Sequence, residues 1–204
     1  MISIIYSEIL KLKKSNTLFL VLVGALVMPI FLDICLLIQG ARNFNFSYYA
    51  YRSEGNNVMI LSTMIFALLA GKVFSREYSD QTCTTLFCYP YKRTQIFIGK
   101  LLVIYIMMII SYFIQGIYTY GSYFIFSDLG ISIDEVIGNL KFTLVVLLFQ
   151  MALIPIPVLF VNLKRSLVPA SVYGIFASIC IFTLTDSDKI INKFNPLLST
   201  RFFV

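Results

Sequence analysis

The chain has 204 residues, of which 59% are hydrophobic and only 13% charged, with a formal net charge of +6 and a mean hydropathy of +0.87. Soluble domains carry roughly 45–50% apolar and about 25% charged residues, so the deficit in charge excludes an ordinary soluble fold. The positive balance is not a nucleic-acid signal either, because no contiguous basic face with stacking aromatics accompanies it.

In chain order, residues 1–17 form the first predicted element. Ile2, Ile5, Ile9 and Leu12 recur at helical spacing, while Ser3, Ser7, Lys11 and Lys14 trace the opposite face. This pattern predicts an interfacial helix whose basic end meets anionic lipid. Five apolar runs follow, at 18–38, 58–74, 101–123, 142–161 and 167–184. Each is long enough for a hydrocarbon core of about 30 Å, which predicts an all-α polytopic membrane protein with five transmembrane helices and no separate soluble domain. The first run is too long for a signal-peptide core and lacks a cleavage site, so it reads as a true span.

Between the spans, residues 39–57 read as a polar external loop and residues 75–95 as the largest cytoplasmic segment. Span three belongs to a Pro-free stretch from Gln95 to Phe126, long enough to project beyond the bilayer with Lys100 reaching the interface. Residues 127–141 form an acidic outer loop. Pro155 and Pro157 should kink or break span four. Asn162 to Ser166 makes a tight inner turn, and Pro169 suits the first turn of span five.

Orientation follows from the placement of Lys and Arg. With a cytoplasmic N-terminus, the inner segments hold Lys11, Lys13, Lys14, Lys72, Arg76, Lys92, Arg93, Lys100, Lys164 and Arg165, against Arg42, Arg52, Lys141, Lys189, Lys193 and Arg201 outside. Most acidic residues lie on the outer side.

The chemistry on offer is sparse. No phosphate-binding loop is present, and the chain has no His, which removes most general-base and transition-metal chemistry. Cys35 and Cys180 fall in spans; Cys83 and Cys88 share a cytoplasmic loop without further ligands, so no zinc site is expected. Asp33 is the one carboxylate inside a predicted span and reads as an interfacial or helix-pairing residue in preference to a substrate or proton site. No catalytic pair exists at membrane depth, so the chain reads as non-catalytic, with no catalytic or metal-binding residues. Ser111, Gln115, Tyr118 and Ser122 lie on one face of span three and either line a substrate path or hydrogen-bond a neighbouring helix.

The segment from Gly71 to Lys100 is the most informative. Ser75 can cap a short helix that carries Glu77 and Asp80 in its first turns and ends before Pro90, with Leu86 and Phe87 left as exposed apolar residues. Arg76, Glu77, Tyr78, Thr82, Leu86, Pro90, Arg93, Gly99 and Lys100 stand in the order found in the cytoplasmic loop of type-2 permeases of ATP-binding-cassette transporters. The chain resembles that family over nearly its whole length; Ser7 to Lys14 is similar to its elbow helix, and Ile191 to Pro196 to its outer segment after span five. In size and loop style it is similar to the small bacterial permeases of bacteriocin-immunity, bacitracin-resistance and peptide-export systems.

The resemblance implies that residues 75–90 form a coupling helix seated on an ATPase subunit, with Arg76, Glu77, Tyr78, Asp80, Thr82, Leu86, Phe87, Pro90 and Arg93 as its coupling residues. It implies a second permease copy or homologue, ATP and Mg held by the ATPase and not by this chain, membrane lipid as the surroundings, and no nucleic-acid partner. The implied activity is export of amphipathic peptide, antimicrobial or lipid-like cargo across a bacterial plasma membrane. An ATPase-independent channel or carrier, or a non-transporting scaffold or sensor, are the alternatives. The family normally has six spans, whereas this sequence ends where a sixth would begin. It reads either as a five-span variant or as a chain lacking its last helix, and the second reading is preferred.

Overall fold

The computed structural model describes residues 2–13, 17–39, 45–79, 93–127 and 130–185. Among these every regular element is helical. They are α1 (Ile2–Lys13), α2 (Thr17–Gln39), α3 (Phe46–Asn57), a π-helical turn (Val58–Ser62), α4 (Thr63–Ser79), α5 (Arg93–Phe126), α6 (Ile133–Leu153), α7 (Pro155–Lys164) and α8 (Val168–Thr185). Among the described residues, three helical stretches are long and apolar enough to cross a membrane: Thr17–Gln39, Thr94–Phe126 and Ile133–Lys164, the last taken across its break. Val168–Ile181 is a shorter apolar stretch.

The ends of these helices follow from local chemistry. Ser132 caps α6, accepting from the Glu135 N–H while the Glu135 carboxylate accepts from the Ser132 N–H, a reciprocal capping box. Pro155 and Pro157 carry no N–H, so the helix beginning at Ile133 is interrupted at Ile154 and resumes as α7, as the sequence predicts. Arg165 closes α7 in the left-handed conformation (φ 53°), with its N–H donated to the Val161 carbonyl at 2.7 Å.

Three sequence expectations are corrected. Residues 46–57 are a helix, not a loop, and they run through the π turn into α4 as one rod about 50 Å long at 1.5 Å per residue. At the other end α4 continues unbroken to Ser79, so Ser75 is an interior helical residue and not an N-cap. Lys100 also departs from expectation. It is 98% buried, with its ammonium 5.4 Å from the centre of the Phe74 ring, rather than reaching outward.

The main apolar core joins α4, α5 and α7 with contributions from neighbouring helices, through Phe66, Leu69, Val73, Ile104, Met108, Val146, Val158 and Val161. A second, smaller cluster of Leu32, Phe46, Tyr49, Ala50 and Tyr123 lies where α2, α3 and α5 meet. Large apolar side chains such as Phe19, Phe31, Phe113, Ile125, Leu144 and Phe176 face outward. An apolar exterior around a partly polar interior is the pattern expected of a bundle whose solvent is lipid.

Candidate functional site

Two regions hold the residues singled out in the sequence. The first is the end of the bundle where α4 stops and α5 starts. Phe74 and Phe97 meet there, ring centroids 5.4 Å apart, so residues 80–92 connect two helix ends already in contact. A guanidinium nitrogen of Arg76 donates to the Lys11 carbonyl at 2.8 Å, satisfying one of the free carbonyls at the C-terminal end of α1. Tyr78 donates to the side-chain oxygen of Asn162 at 3.5 Å. Three segments read as cytoplasmic thus gather at one end: the foot helix, the base of α4, and the end of α7 before the inner turn. Glu77 lies in the last turn of α4, and Arg93 opens α5. Asp80, Thr82, Leu86, Phe87 and Pro90 lie outside the described residues.

At the opposite end the Ser47 hydroxyl donates to the Glu135 carboxylate at 3.3 Å. Two segments read as external therefore also meet.

The second region is the polar stripe of α5. Ser111, Gln115 and Ser122 are buried, and Tyr118 is half-buried. Three of the four bond to other helices. Gln115 accepts from the Asn57 amide at 2.7 Å. Tyr118 donates to one oxygen of Asp33 at 2.6 Å while Tyr49 donates to the other, also at 2.6 Å. The Ser122 hydroxyl lies 2.5 Å from that of Tyr49. Asp33 is thus a helix-pairing residue, held between α3 and α5.

The hub of these bonds is α3, which the sequence reading had placed in a loop. Glu54 is 98% buried and accepts from the Asn139 amide at 3.0 Å; the Thr143 hydroxyl sits in its carboxylate fork, 2.8 and 2.9 Å from the two oxygens. Asn139 in turn accepts from Tyr120 at 3.2 Å. One level further along, the Gln150 amide donates to Ser62 at 2.7 Å and its carbonyl accepts from Tyr112 at 2.7 Å. A single polar seam therefore runs through α2, α3, α5 and α6. A signal for it was present: Phe46, Tyr49, Ser53 and Asn57 recur at three- and four-residue steps. Hydropathy overlooks such a face because its buried side chains are mostly polar.

Within the seam, Asn57 and Gln115 each keep one side-chain atom without a partner, as does the Ser53 hydroxyl one turn before Asn57. Among the described residues no group of acidic, Cys or His side chains is arranged to hold a metal ion, and Cys35 and Cys180 are free thiols.

Comparison with known proteins fits this arrangement of apolar exterior and helical interior. The family described as ABC-2 family transporter protein matches residues 4–185, nearly the whole chain. The chain belongs to the ABC-2 transporter family. It is accordingly a multi-pass membrane permease of an ABC transporter, and membership implies an ABC ATPase as its partner. No curated protein and no solved structure matches it.

Proposed function

We propose that this ABC-2 permease exports amphipathic peptide, antimicrobial or lipid-like cargo from a bacterial cell, with its N-terminus in the cytoplasm and ATP hydrolysed by a separate subunit. The observation that carries the orientation is the sorting of segments between the two ends. Lys11, Arg76, Tyr78 and Asn162 collect at the end richer in basic residues, and Ser47 and Glu135 at the other. This sorting supports the alternation expected from five spans, including those at 58–74 and 167–184.

In this reading residues 75–90 form the coupling element. ATP binding draws the ATPases together, and the displacement enters through Glu77 to Phe87 at the joined ends of α4 and α5. A second permease copy or homologue completes the path between two such bundles. Ligand energy moves a permease only when its states differ in affinity for cargo and for the ATPase, and the coupling loop supplies the second difference. The stripe of Ser111, Gln115, Tyr118 and Ser122 is engaged in helix pairing, so it serves a substrate path only in a state where those bonds have exchanged.

Affinity purification from native membranes provides the test. An ATPase should co-purify with the intact protein, and combining Glu77→Ala with Leu86→Ala should reduce its recovery about tenfold, equivalent to a loss of about 1.4 kcal/mol at the interface. A purified chain with no ATPase, and a transport phenotype untouched by the double substitution, would overturn the reading in favour of a channel, carrier or scaffold.

A further inference from the structure

Two of the long rods are interrupted, and the interruptions face one another. In the first rod the π turn Val58–Ser62 separates α3 from α4, and the Thr63 hydroxyl patches the disturbed ladder by donating to the Val58 carbonyl at 2.9 Å. In the second, Pro155 and Pro157 deprive the carbonyls of Met151 and Leu153 of their helical donors. The Gln150–Ser62 bond links the two rods beside these breaks. Thr63, Phe66, Gln150, Ile154, Pro157 and Tyr173 line one small, partly open cleft there, about 10 Å³ in volume. The Tyr173 hydroxyl, buried at this cleft, has no hydrogen-bond partner.

The two sides of this level are held differently. On the outer side, α3 and α6 are joined by directional bonds through Glu54, Asn139, Thr143, Ser47 and Glu135, and bonds from Asn57, Tyr49 and Asn139 fasten them to α5. On the inner side, α4 and α8 pack closely through small residues, Gly71 against Ala170 and Gly174 against Met64 and Ala67, and α7 meets α8 through the Phe160 and Tyr173 rings, centroids 6.3 Å apart. The junction of α4 with α5 is largely aromatic, through Phe74–Phe97 and Phe66–Tyr112, with the Lys100 ammonium of α5 against the Phe74 ring. Apolar contacts have no preferred direction, so they tolerate sliding that directional bonds resist. Helices bend where their hydrogen-bond ladder is broken.

We propose that α4, α7 and α8 form one block that swings against a fixed frame of α3, α5 and α6, hinged at the π turn and at Ile154. In the closed form the Tyr173 hydroxyl donates to a carbonyl freed by Pro155 or Pro157. Residues 80–92 join the moving block to α5, so a force applied there separates the two. Only this driver rests on the permease reading; the hinge itself belongs to the fold.

The test places spin labels on the full chain, with its four cysteines replaced, in lipid nanodiscs. Phe113 on α5 is paired with Leu140 on α6 within the frame, and with Val172 on α8 across the hinge; all three positions are exposed. The frame pair should give one narrow distance and the cross pair a broad or double one. Substituting Pro155→Ala together with Pro157→Ala should narrow the cross pair, and Tyr173→Phe should deplete its closed component. Hydrogen exchange on the wild-type chain is independent of these variants: amides at 58–62 and those of Ile154, Ile156 and Val158 should exchange about tenfold faster than those at 65–69 and 143–148. A cross pair as narrow as the frame pair, or uniform exchange along both rods, would refute the hinge. A cross pair that responds to the prolines while ignoring an ATP-loaded ATPase would uphold the hinge and reject the driver.

Discussion

The seam between α4 and α8 and the seam centred on α3 solve the same problem with opposite materials. Lipid tails are as apolar as Leu, so apolarity alone does not bring helices together inside a membrane. Between α4 and α8 the answer is close approach: a Cβ placed on Gly71 would lie 2.6 Å from that of Ala170, and one on Gly174 3.1 Å from the Met64 backbone. Around α3 the answer is hydrogen bonding, through Tyr49, Glu54, Asn57 and, just beyond the helix, Ser62. The first seam is sensitive to volume and indifferent to polarity, and the second is the reverse.

The sharpest way to break the comparison is to add volume to the small-residue seam. Gly71→Val should lower stability by about 1–3 kcal/mol, the usual cost of overpacking, visible as a lower midpoint of thermal aggregation in detergent. Gly71→Ser should cost at least as much as Gly71→Ala, since size and not polarity decides. Next in size is the hub carboxylate. Glu54→Ala leaves the Asn139 amide without its buried acceptor, while Thr143 keeps the Asn139 carbonyl, and should cost about 1–3 kcal/mol. Glu54→Gln keeps an acceptor there and should cost less than half as much in the same assay. Equal losses for the two variants would show that α3 is held by packing after all.

The smallest effect concerns Asn57 and Gln115. Interhelical hydrogen bonds in membranes average about 0.6 kcal/mol in double-mutant cycles and reach about 1.7. Asn57→Leu and Gln115→Leu should therefore couple by about that average, with the double variant close to wild type because both unpartnered atoms disappear together.

The same contrast explains what could be read in the sequence. The apolar rods announced themselves, since Thr17–Gln39 and Thr94–Phe126 are long and carry almost no charge. The break at Pro155 was legible because proline has no donor to give. Arg76 was read into a separate helix begun at Ser75, whereas it belongs to the last turns of α4 and donates to the Lys11 carbonyl. The hub was misread because α3 buries Tyr49, Ser53, Glu54 and Asn57, residues that hydropathy assigns to solvent. Only the positions of Asp33, Asn139 and Gln115 on other helices give them partners, and those positions are tertiary information. The π turn was equally hidden, because Val58–Ser62 has no Pro or Gly to mark it.

The bond from Arg76 to the end of α1 has a consequence for the membrane itself. With α1 lying along the inner leaflet as proposed, its exposed Tyr6 and Leu10 meet lipid while Leu12 anchors in the core and Arg76 grips its last turn. A shift in headgroup charge that lifts or seats this foot then pulls directly on the base of α4. On the proposed reading, leaflet composition is then an input alongside nucleotide and cargo. Proteoliposomes with graded anionic lipid should show graded turnover, and Arg76→Ala should flatten that response.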